Sequence, residues 1–254
     1  MHKLIKLNNT YCTDNLELMK RIPNNHINLI YCDILYGTGK DFGDYKDLKP
    51  NKKEIEDFYI PRIREMYRIL KDDGAIYLQM DFRINHWIRC IMDDIFGYDN
   101  FQNEIIWLYN GGGVTKKRFN RKHDTIYFYG KQKDTKFNVQ YQPYKENSAN
   151  RLSHSHRNKK SEDEINRGTP MVDWWQDIKA IVNPDNNEYV PYKTQKPKEL
   201  LERIIKASSN ENDVVADFFC GSGTTLVVAK ELGRQYIGCD INPKAIEITN
   251  NRLL

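Results

Sequence analysis

Apolar residues fall into two alternating patterns along this 254-residue chain. Short runs rich in β-branched and aromatic residues predict strands over Ile27–Cys32, Gly74–Met80, Glu104–Tyr109, Thr125–Tyr129, Val214–Phe218 and Gln235–Cys239. Most of these runs alternate little, as strands buried on both faces do. Between them, three-to-four spacing predicts helices over Leu16–Ile22, Ile55–Leu70, Ile84–Ile91, Lys198–Ala207, Thr225–Leu232 and Ala245–Leu254. In the second helix Ile55, Tyr59, Ile63, Met66 and Leu70 form one apolar stripe, although Pro61 within it threatens its continuity. Strands alternating with helices predict an α/β fold built on a mostly parallel sheet.

The rhythm breaks between about Phe137 and Val190, where Asn, Ser, His, Lys and Arg dominate. So long a stretch without periodicity is unusual inside a compact domain. Residues 137–190 are therefore read as an insertion, and residues 1–136 and 191–254 as one discontinuous body. Tyr141, Tyr144, Trp174 and Trp175 favour an insertion that is at least partly ordered.

Composition narrows the class. With 39% hydrophobic and 29% charged residues the chain reads as globular. No run approaches the roughly 18 apolar residues of a membrane span, and the start has no apolar signal core. The five cysteines are scattered and never spaced CxxC. That argues against a disulfide framework or a zinc site and for a reducing, cytoplasmic setting. His154 and His156 lack Cys or acidic companions, so no metal site is expected. The net charge of +4 hides an uneven distribution: Lys116 to Lys160 carries +10 and the rest of the chain −6.

Four segments carry chemistry. Val214-Val215-Ala216-Asp217-Phe218-Phe219-Cys220-Gly221-Ser222-Gly223-Thr224-Thr225 is an apolar strand ending in a carboxylate, a glycine turn and a helix start. Gly221 and Gly223 let a backbone approach a ligand at the strand's carboxyl end, but the third glycine of a dinucleotide fingerprint is missing. Seventeen residues beyond Gly223, Asp240 ends the next strand, where an acidic residue suits two ribose hydroxyls. The alternative is an ordinary βαβ unit with a tight turn. In Ile27-Asn28-Leu29-Ile30-Tyr31-Cys32-Asp33-Ile34-Leu35-Tyr36 a second strand delivers a carboxylate, with an aromatic three residues on. A helix cap or turn former would look the same. Tyr192-Lys193-Thr194-Gln195-Lys196-Pro197 precedes a helix, where proline is a normal start signal. Finally, the basic stretch interleaves Lys116, Lys117, Arg118, Arg121, Lys122, Arg151 and Arg157 with Phe119, Tyr127, Tyr129, Tyr141 and Tyr144, beside the flexible Gly111-Gly112-Gly113. Such a surface is either a solvated face or a phosphate-binding one.

The order of these segments resembles the N4/N6 amino-methyltransferases of DNA in their permuted β arrangement. That family places a D/S-P-P-Y tetrapeptide first, then a target-recognition insertion, then T-Q-K-P and an F-x-G-x-G turn. Asp33–Tyr36, the basic insertion, Thr194–Pro197 and Phe219–Gly223 follow that order. Smaller matches are Cys12-Thr13-Asp14-Asn15-Leu16-Glu17-Leu18, Ile106-Trp107, His123-Asp124-Thr125-Ile126 and Asp173–Ile178. The Tyr36–Phe42 loop is similar to one in type III modification subunits, which methylate adenine.

The resemblance implies a Rossmann-like methyltransferase fold, helices on both sheet faces, S-adenosylmethionine as cofactor, double-stranded DNA as partner and a possible homodimer. It implies that Asp33 and the Ile34 carbonyl accept hydrogens from the target amino group while Tyr36 stacks on the flipped base. Asp14, Thr194, Gln195, Lys196, Asp217, Phe219, Gly221, Gly223, Thr224 and Asp240, together with Asp33, then surround the cofactor. Asp at position 33 leans towards adenine N6 over cytosine N4. One departure stands out: Ile34 and Leu35 occupy the places of the two prolines. They remove two fixed φ angles and add two N–H donors that need partners. A catalytically silent DNA-binding paralogue is the competing reading. A glutamine or RNA methyltransferase is disfavoured, because its glycine turn normally precedes the tetrapeptide.

Overall fold

In the computed structural model the continuous apolar runs become the middle of an eight-stranded sheet. The structure describes residues 5–41, 43, 46–109, 114–145, 147–148, 152, 160–181, 187–192 and 194–254. Its strands are β1 (Asn9–Cys12), β2 (Ile27–Asp33), β3 (Leu70–Met80), β4 (Phe101–Leu108), β5 (His123–Gly130), β6 (Tyr141–Gln142), β7 (Thr169–Pro170), β8 (Trp174–Trp175), β9 (Val214–Asp217) and β10 (Gln235–Asp240). The large sheet has the order β1-β10-β9-β2-β3-β5-β4-β8, while β6 and β7 pair separately. Every strand of the large sheet pairs in parallel except β5, which runs against β3 and β4.

The helices are α1 (Asn15–Met19), α2 (Lys52–Ile69), α3 (Asn85–Phe96), α4 (Glu162–Arg167), α5 (Lys198–Ser208), α6 (Thr224–Glu231) and α7 (Pro243–Leu253). Successive residues of a strand point to opposite faces, and β2 shows the result. Ile30 and Cys32 join a core with α1, α2 and α3, whereas Leu29 and Tyr31 join one with α5, α6 and α7. This is the expected sheet with helices on both faces.

Two local expectations change. α2 runs unbroken through Pro61. A proline inside a helix costs about 3 kcal/mol, but Ile55, Tyr59, Ile63 and Met66 are fully or almost fully buried along the stripe. Each apolar side chain so buried contributes about 1.5–3 kcal/mol, so packing outweighs the lost bond. β1 is invisible in the apolar pattern, because Asn9-Thr10-Tyr11-Cys12 is an edge strand with mixed residues. Asn8 sets it: with φ +54° it exchanges bonds with Tyr236, its backbone N donating to the Tyr236 carbonyl at 2.7 Å and its Oδ1 accepting from the Tyr236 N–H at 3.1 Å.

Residues 137–190 are stitched to the body at both ends. Asn138 Nδ2 donates to the carbonyls of Lys206 and Ser209 at 2.9 and 3.1 Å. Trp174–Trp175, expected inside the insertion, form β8 of the main sheet beside β4. Trp175 and Ile178 are buried there, and Trp107 Nε1 donates to the Ile178 carbonyl at 3.0 Å. Between these anchors lies α4, opened by a Ser161–Glu164 capping box. Arg151, Arg157, His154, His156, Gly111–Gly113 and Lys193 lie outside the described residues.

Candidate cofactor and active site

β2 and β9 are neighbours, yet the chain leaves β2 through α2 towards β3 and leaves β9 through α6 towards β10. Connections that diverge in this way open a crevice at the carboxyl ends of the strands. A cavity of about 440 Å³ occupies it. Four strand ends each bring a carboxylate to its wall: Asp14 after β1, Asp33 ending β2, Asp217 ending β9 and Asp240 ending β10.

On the β9–β10 side the carboxylates are fixed by backbone. Asp240 accepts from the Gly221 N–H at 3.0 Å and the Asn242 N–H at 2.9 Å, leaving lone pairs for further donors such as sugar hydroxyls. Asp217 accepts from the Phe219 N–H at 3.0 Å and the Thr225 hydroxyl at 2.6 Å. Burial nevertheless dominates, and the Asp217 carboxyl rises from 3.8 to about 7. A carboxyl raised in the fold contributes its full stability below the unfolded pKa and loses it as pH climbs through the folded one. Wild-type protein is therefore expected to lose about 2–3 kcal/mol more between pH 5 and pH 8 than Asp217→Asn. Urea denaturation at the two pH values measures the difference; equal losses in both proteins would remove the assignment.

Gly221 lines the cavity, as the strand-end turn leads one to expect, whereas Gly223 does not. A Cβ at Gly221 would come within 3.1 Å of the Tyr192 ring beside the cavity. Gly223 does not line the cavity; its φ of +78° and a would-be Cβ 2.4 Å from Thr249 explain the glycine by helix packing. Thr224 lines the cavity with its Oγ1 accepting from Arg252 at 3.0 Å. Phe219 lines it too, packed on Tyr59.

The Thr194–Lys196 segment also lines the cavity. Thr194 holds a left-handed φ of +70°, strained for a β-branched residue. Gln195 points into its own loop, accepting from the Val190 N–H at 2.8 Å and donating to the Glu188 carbonyl at 2.6 Å. Lys196, expected near the cofactor, lines the cavity and also places its ammonium 2.7 Å from Asp33 Oδ2 and 5.4 Å from the Tyr36 ring centre. Burial raises the Asp33 carboxyl above its ordinary range while the Lys196 charge pulls the other way.

Ile34 and Leu35 are absorbed by the fold. The Ile34 N–H donates to the Gln79 carbonyl at 3.0 Å, extending the β2–β3 pairing one step past Asp33. Its side chain is buried in the core. The Leu35 carbonyl accepts from the Tyr59 hydroxyl at 2.9 Å. Beyond Tyr36, Asp47 accepts from the N–H groups of Gly37 and Thr38 at 3.0 and 2.8 Å. Hydrogen bonds and packing thus supply rigidity that two prolines would otherwise bring.

Sequence reasoning missed three groups. Arg62 sits on the apolar stripe of α2 and reaches Asn15 Oδ1 and Asp14 Oδ2, each at 2.7 Å, so Asp14 is clamped as well as capping α1. A buried arginine interrupting an apolar stripe was the available signal. Asp124 lay within the matched His123–Ile126 tract without a role assigned to it, and Asp47 left no signal beyond being acidic.

The basic stretch divides in two. Because β5 is reversed, the β4–β5 loop lies at the cavity end of the sheet, and Lys116, Lys117, Arg118 and Arg121 are exposed on it. The Arg121 guanidinium stacks 3.4 Å above the Phe82 ring centre, and Lys122 stands half-buried at the return. Lys131 and Lys136 serve the body instead: one bonds the Leu70 carbonyl at 2.6 Å, the other pairs with Asp213 at 2.8 Å.

With this geometry in view, residues 27–251 match the family model for DNA methylases of the N6/N4 type. The chain belongs to that family. It is 33% identical over 243 residues to the type II methyltransferase M.HpaI of Haemophilus parainfluenzae, covering 95% of this chain and 73% of that one. It is 30% identical to the DNA adenine methyltransferase YhdJ of Escherichia coli K12, covering 94% and 80% respectively. Among solved structures, the cytosine-N4-specific PvuII DNA methyltransferase superposes with a TM-score of 0.70 at 17% identity, covering all of this chain and 88% of that one. M1.HpyAVI, solved as a complex with S-adenosylmethionine, gives 0.62 at 19% identity, covering 96% and 98%. The protein is thus a DNA methyltransferase of the N6/N4 class with the Rossmann-like fold, and S-adenosylmethionine is its methyl donor. The crevice fits that donor: its size, its clamped carboxylates and its glycine turn suit a nucleoside carrying a cationic centre. Among the described residues no group of His, Cys, Asp and Glu could hold a metal, and no helix is long and apolar enough to cross a membrane.

Proposed function

We propose that this methyltransferase acts on the exocyclic N6 of adenine, flipped out of duplex DNA into the cavity beside Asp33. The observation that carries the reading is the Asp33 carboxylate, held at the end of β2 on the wall of the cavity that Asp217 and Asp240 also line. An adenine amino group is a weak nucleophile because its lone pair is delocalised into the ring. Asp33 and the Ile34 carbonyl accept its two hydrogens, localising the lone pair. When bound, S-adenosylmethionine supplies an electrophilic methyl group on a sulfonium. Most of the acceleration then comes from alignment. Asp217, Asp240, Phe219 and the Gly221 turn would hold the nucleoside half of the donor, with Asp14 and Thr194–Lys196 completing the binding site. Tyr36 offers the base a stacking face worth about 1–3 kcal/mol.

Adenine is favoured over cytosine by aspartate at position 33 and by the similarity to an enzyme named a DNA adenine methyltransferase. Incubation with labelled S-adenosylmethionine and DNA, digestion to nucleosides and mass spectrometry tests the reading. N6-methyladenine is the expected product; N4-methylcytosine would replace the base assignment, and no product would support a silent paralogue.

Residues 137–190 and the exposed β4–β5 loop supply the DNA-facing surface, with Arg151 and Arg157 assigned to it from the sequence. Each phosphate contact steepens the fall of log affinity with log salt by about 0.9. Replacing Lys116, Lys117 and Arg118 together by alanine is expected to flatten that slope by about 2–3 while cofactor affinity stays constant. Fluorescence anisotropy across a salt series measures it, and an unchanged slope would make the loop a solvated face.

A further inference from the structure

The hydroxyl of Tyr36 lies 2.7 Å from Asp33 Oδ1 and 2.8 Å from Asp124 Oδ2. It has one proton and two carboxylate acceptors. We infer that Asp124 is a positioning residue for methyl transfer: it takes the Tyr36 hydroxyl hydrogen bond, so that Asp33 Oδ1 stays open to the amino group of the target base. The inference rests on the role proposed for Asp33.

The surroundings of Asp124 are built for this task. Gln79 Nε2 donates to its Oδ2 at 2.8 Å, and the Tyr109 hydroxyl donates to its Oδ1 at 3.1 Å. The Gln79 amide is held in that orientation because its Oε1 accepts from the Tyr31 hydroxyl at 2.7 Å. Asp124 is buried, so its position is fixed by these bonds and not by solvent.

The sheet supplies the alignment. Asp33 on β2 stands opposite Gln79 on β3, which stands opposite Ile126 on β5. Asp124, two residues before Ile126, faces the same side. Reversal of β5 brings the start of that strand to the carboxyl ends of β2 and β3, where Tyr36 arrives from the β2 side. Before the base enters, the hydroxyl is shared between two acceptors. As the amino group approaches Asp33, the hydroxyl bond passes wholly to Asp124, and no bond to the tyrosine ring need move. Without Asp124 the hydroxyl has Asp33 alone, and the amino hydrogen must compete with it for Oδ1.

A double-mutant cycle on the full chain tests this. Asp124→Asn in the wild-type background is expected to lower kcat by about tenfold or more with the S-adenosylmethionine Kd within about twofold. In a Tyr36→Phe background, where no hydroxyl competes, the same substitution is expected to change kcat by less than about threefold. Asp124→Glu, which keeps an anion for the hydroxyl, should retain more activity than Asp124→Asn. Equal losses from Asp124→Asn in both backgrounds would overturn the inference and make Asp124 a structural residue. An Asp124→Glu protein no better than Asp124→Asn would also count against it. A wild-type protein that moves no methyl group to DNA removes the underlying reading and this inference with it, whereas an active enzyme with independent losses removes this inference alone.

Discussion

Asp33→Ala is expected to lower methyl transfer on the order of 10³-fold, the middle of the range that positioned proton acceptors contribute, while S-adenosylmethionine binding changes little. The carboxylate ends β2 on the cavity wall, and the carboxylates proposed to bind the nucleoside stand on β9 and β10. Removing it leaves Asp217, Asp240 and the Gly221 turn in place. It also strands the Lys196 ammonium, 2.7 Å away in the wild type, without its partner. Breaking one half of a buried pair destabilises by about 3–5 kcal/mol. Asp33→Asn is therefore the necessary companion, since its amide keeps the volume and one acceptor oxygen for Lys196. Single-turnover kinetics with labelled S-adenosylmethionine, alongside calorimetric cofactor binding, separates the effects. Wild-type turnover in both variants would show that another group holds the amino hydrogens.

The parts of this molecule that read directly from the sequence are those written in apolar periodicity. Six strands and six helices follow from it because β2, β3, β5, β9 and β10 are largely buried between two helical layers. Strand-end carboxylates were legible for the same reason: Asp33, Asp217 and Asp240 each interrupt an apolar run. What escaped depends on contacts between distant residues. Nothing near Lys196 in the chain says that its ammonium meets a carboxylate 163 positions earlier. Gly223 looked like a ligand glycine because the motif is defined by spacing, whereas its neighbour in space is Thr249. The charge of the basic stretch was counted as one arm, but Lys131 and Lys136 are spent inside the body, which only pairing across the sheet reveals. β8 was hidden by its length, since two tryptophans carry no period. The Ile34-Leu35 departure looks like lost rigidity in the sequence, but the Gln79 carbonyl accepts the Ile34 N–H and the Tyr59 hydroxyl donates to the Leu35 carbonyl.

Lys196→Met is expected to produce the second large loss, and one with a distinctive pH dependence. Burial holds the Asp33 carboxyl above its ordinary range, the Lys196 ammonium opposes this, and the nearby Asp124 charge reinforces it. Methionine keeps the stem and removes the charge. Burial and Asp124 then act unopposed, so the Asp33 carboxyl moves further up. A protonated Asp33 offers a donor where the amino group needs an acceptor. Activity should therefore fall by about 100-fold at pH 7, equivalent to a barrier increase of about 2.7 kcal/mol, and recover in part towards pH 9. The acid limb of the kcat profile moves to higher pH relative to the wild type. Lys196→Arg retains a cation and should keep the limb near its original place, although a planar guanidinium fits the site differently. A merely structural lysine would lower activity by the same factor at every pH. A pH-rate series from pH 6 to 9 for the three proteins distinguishes the cases: a uniform loss in Lys196→Met would mean that the ammonium holds the Thr194–Lys196 wall in place and does not tune Asp33.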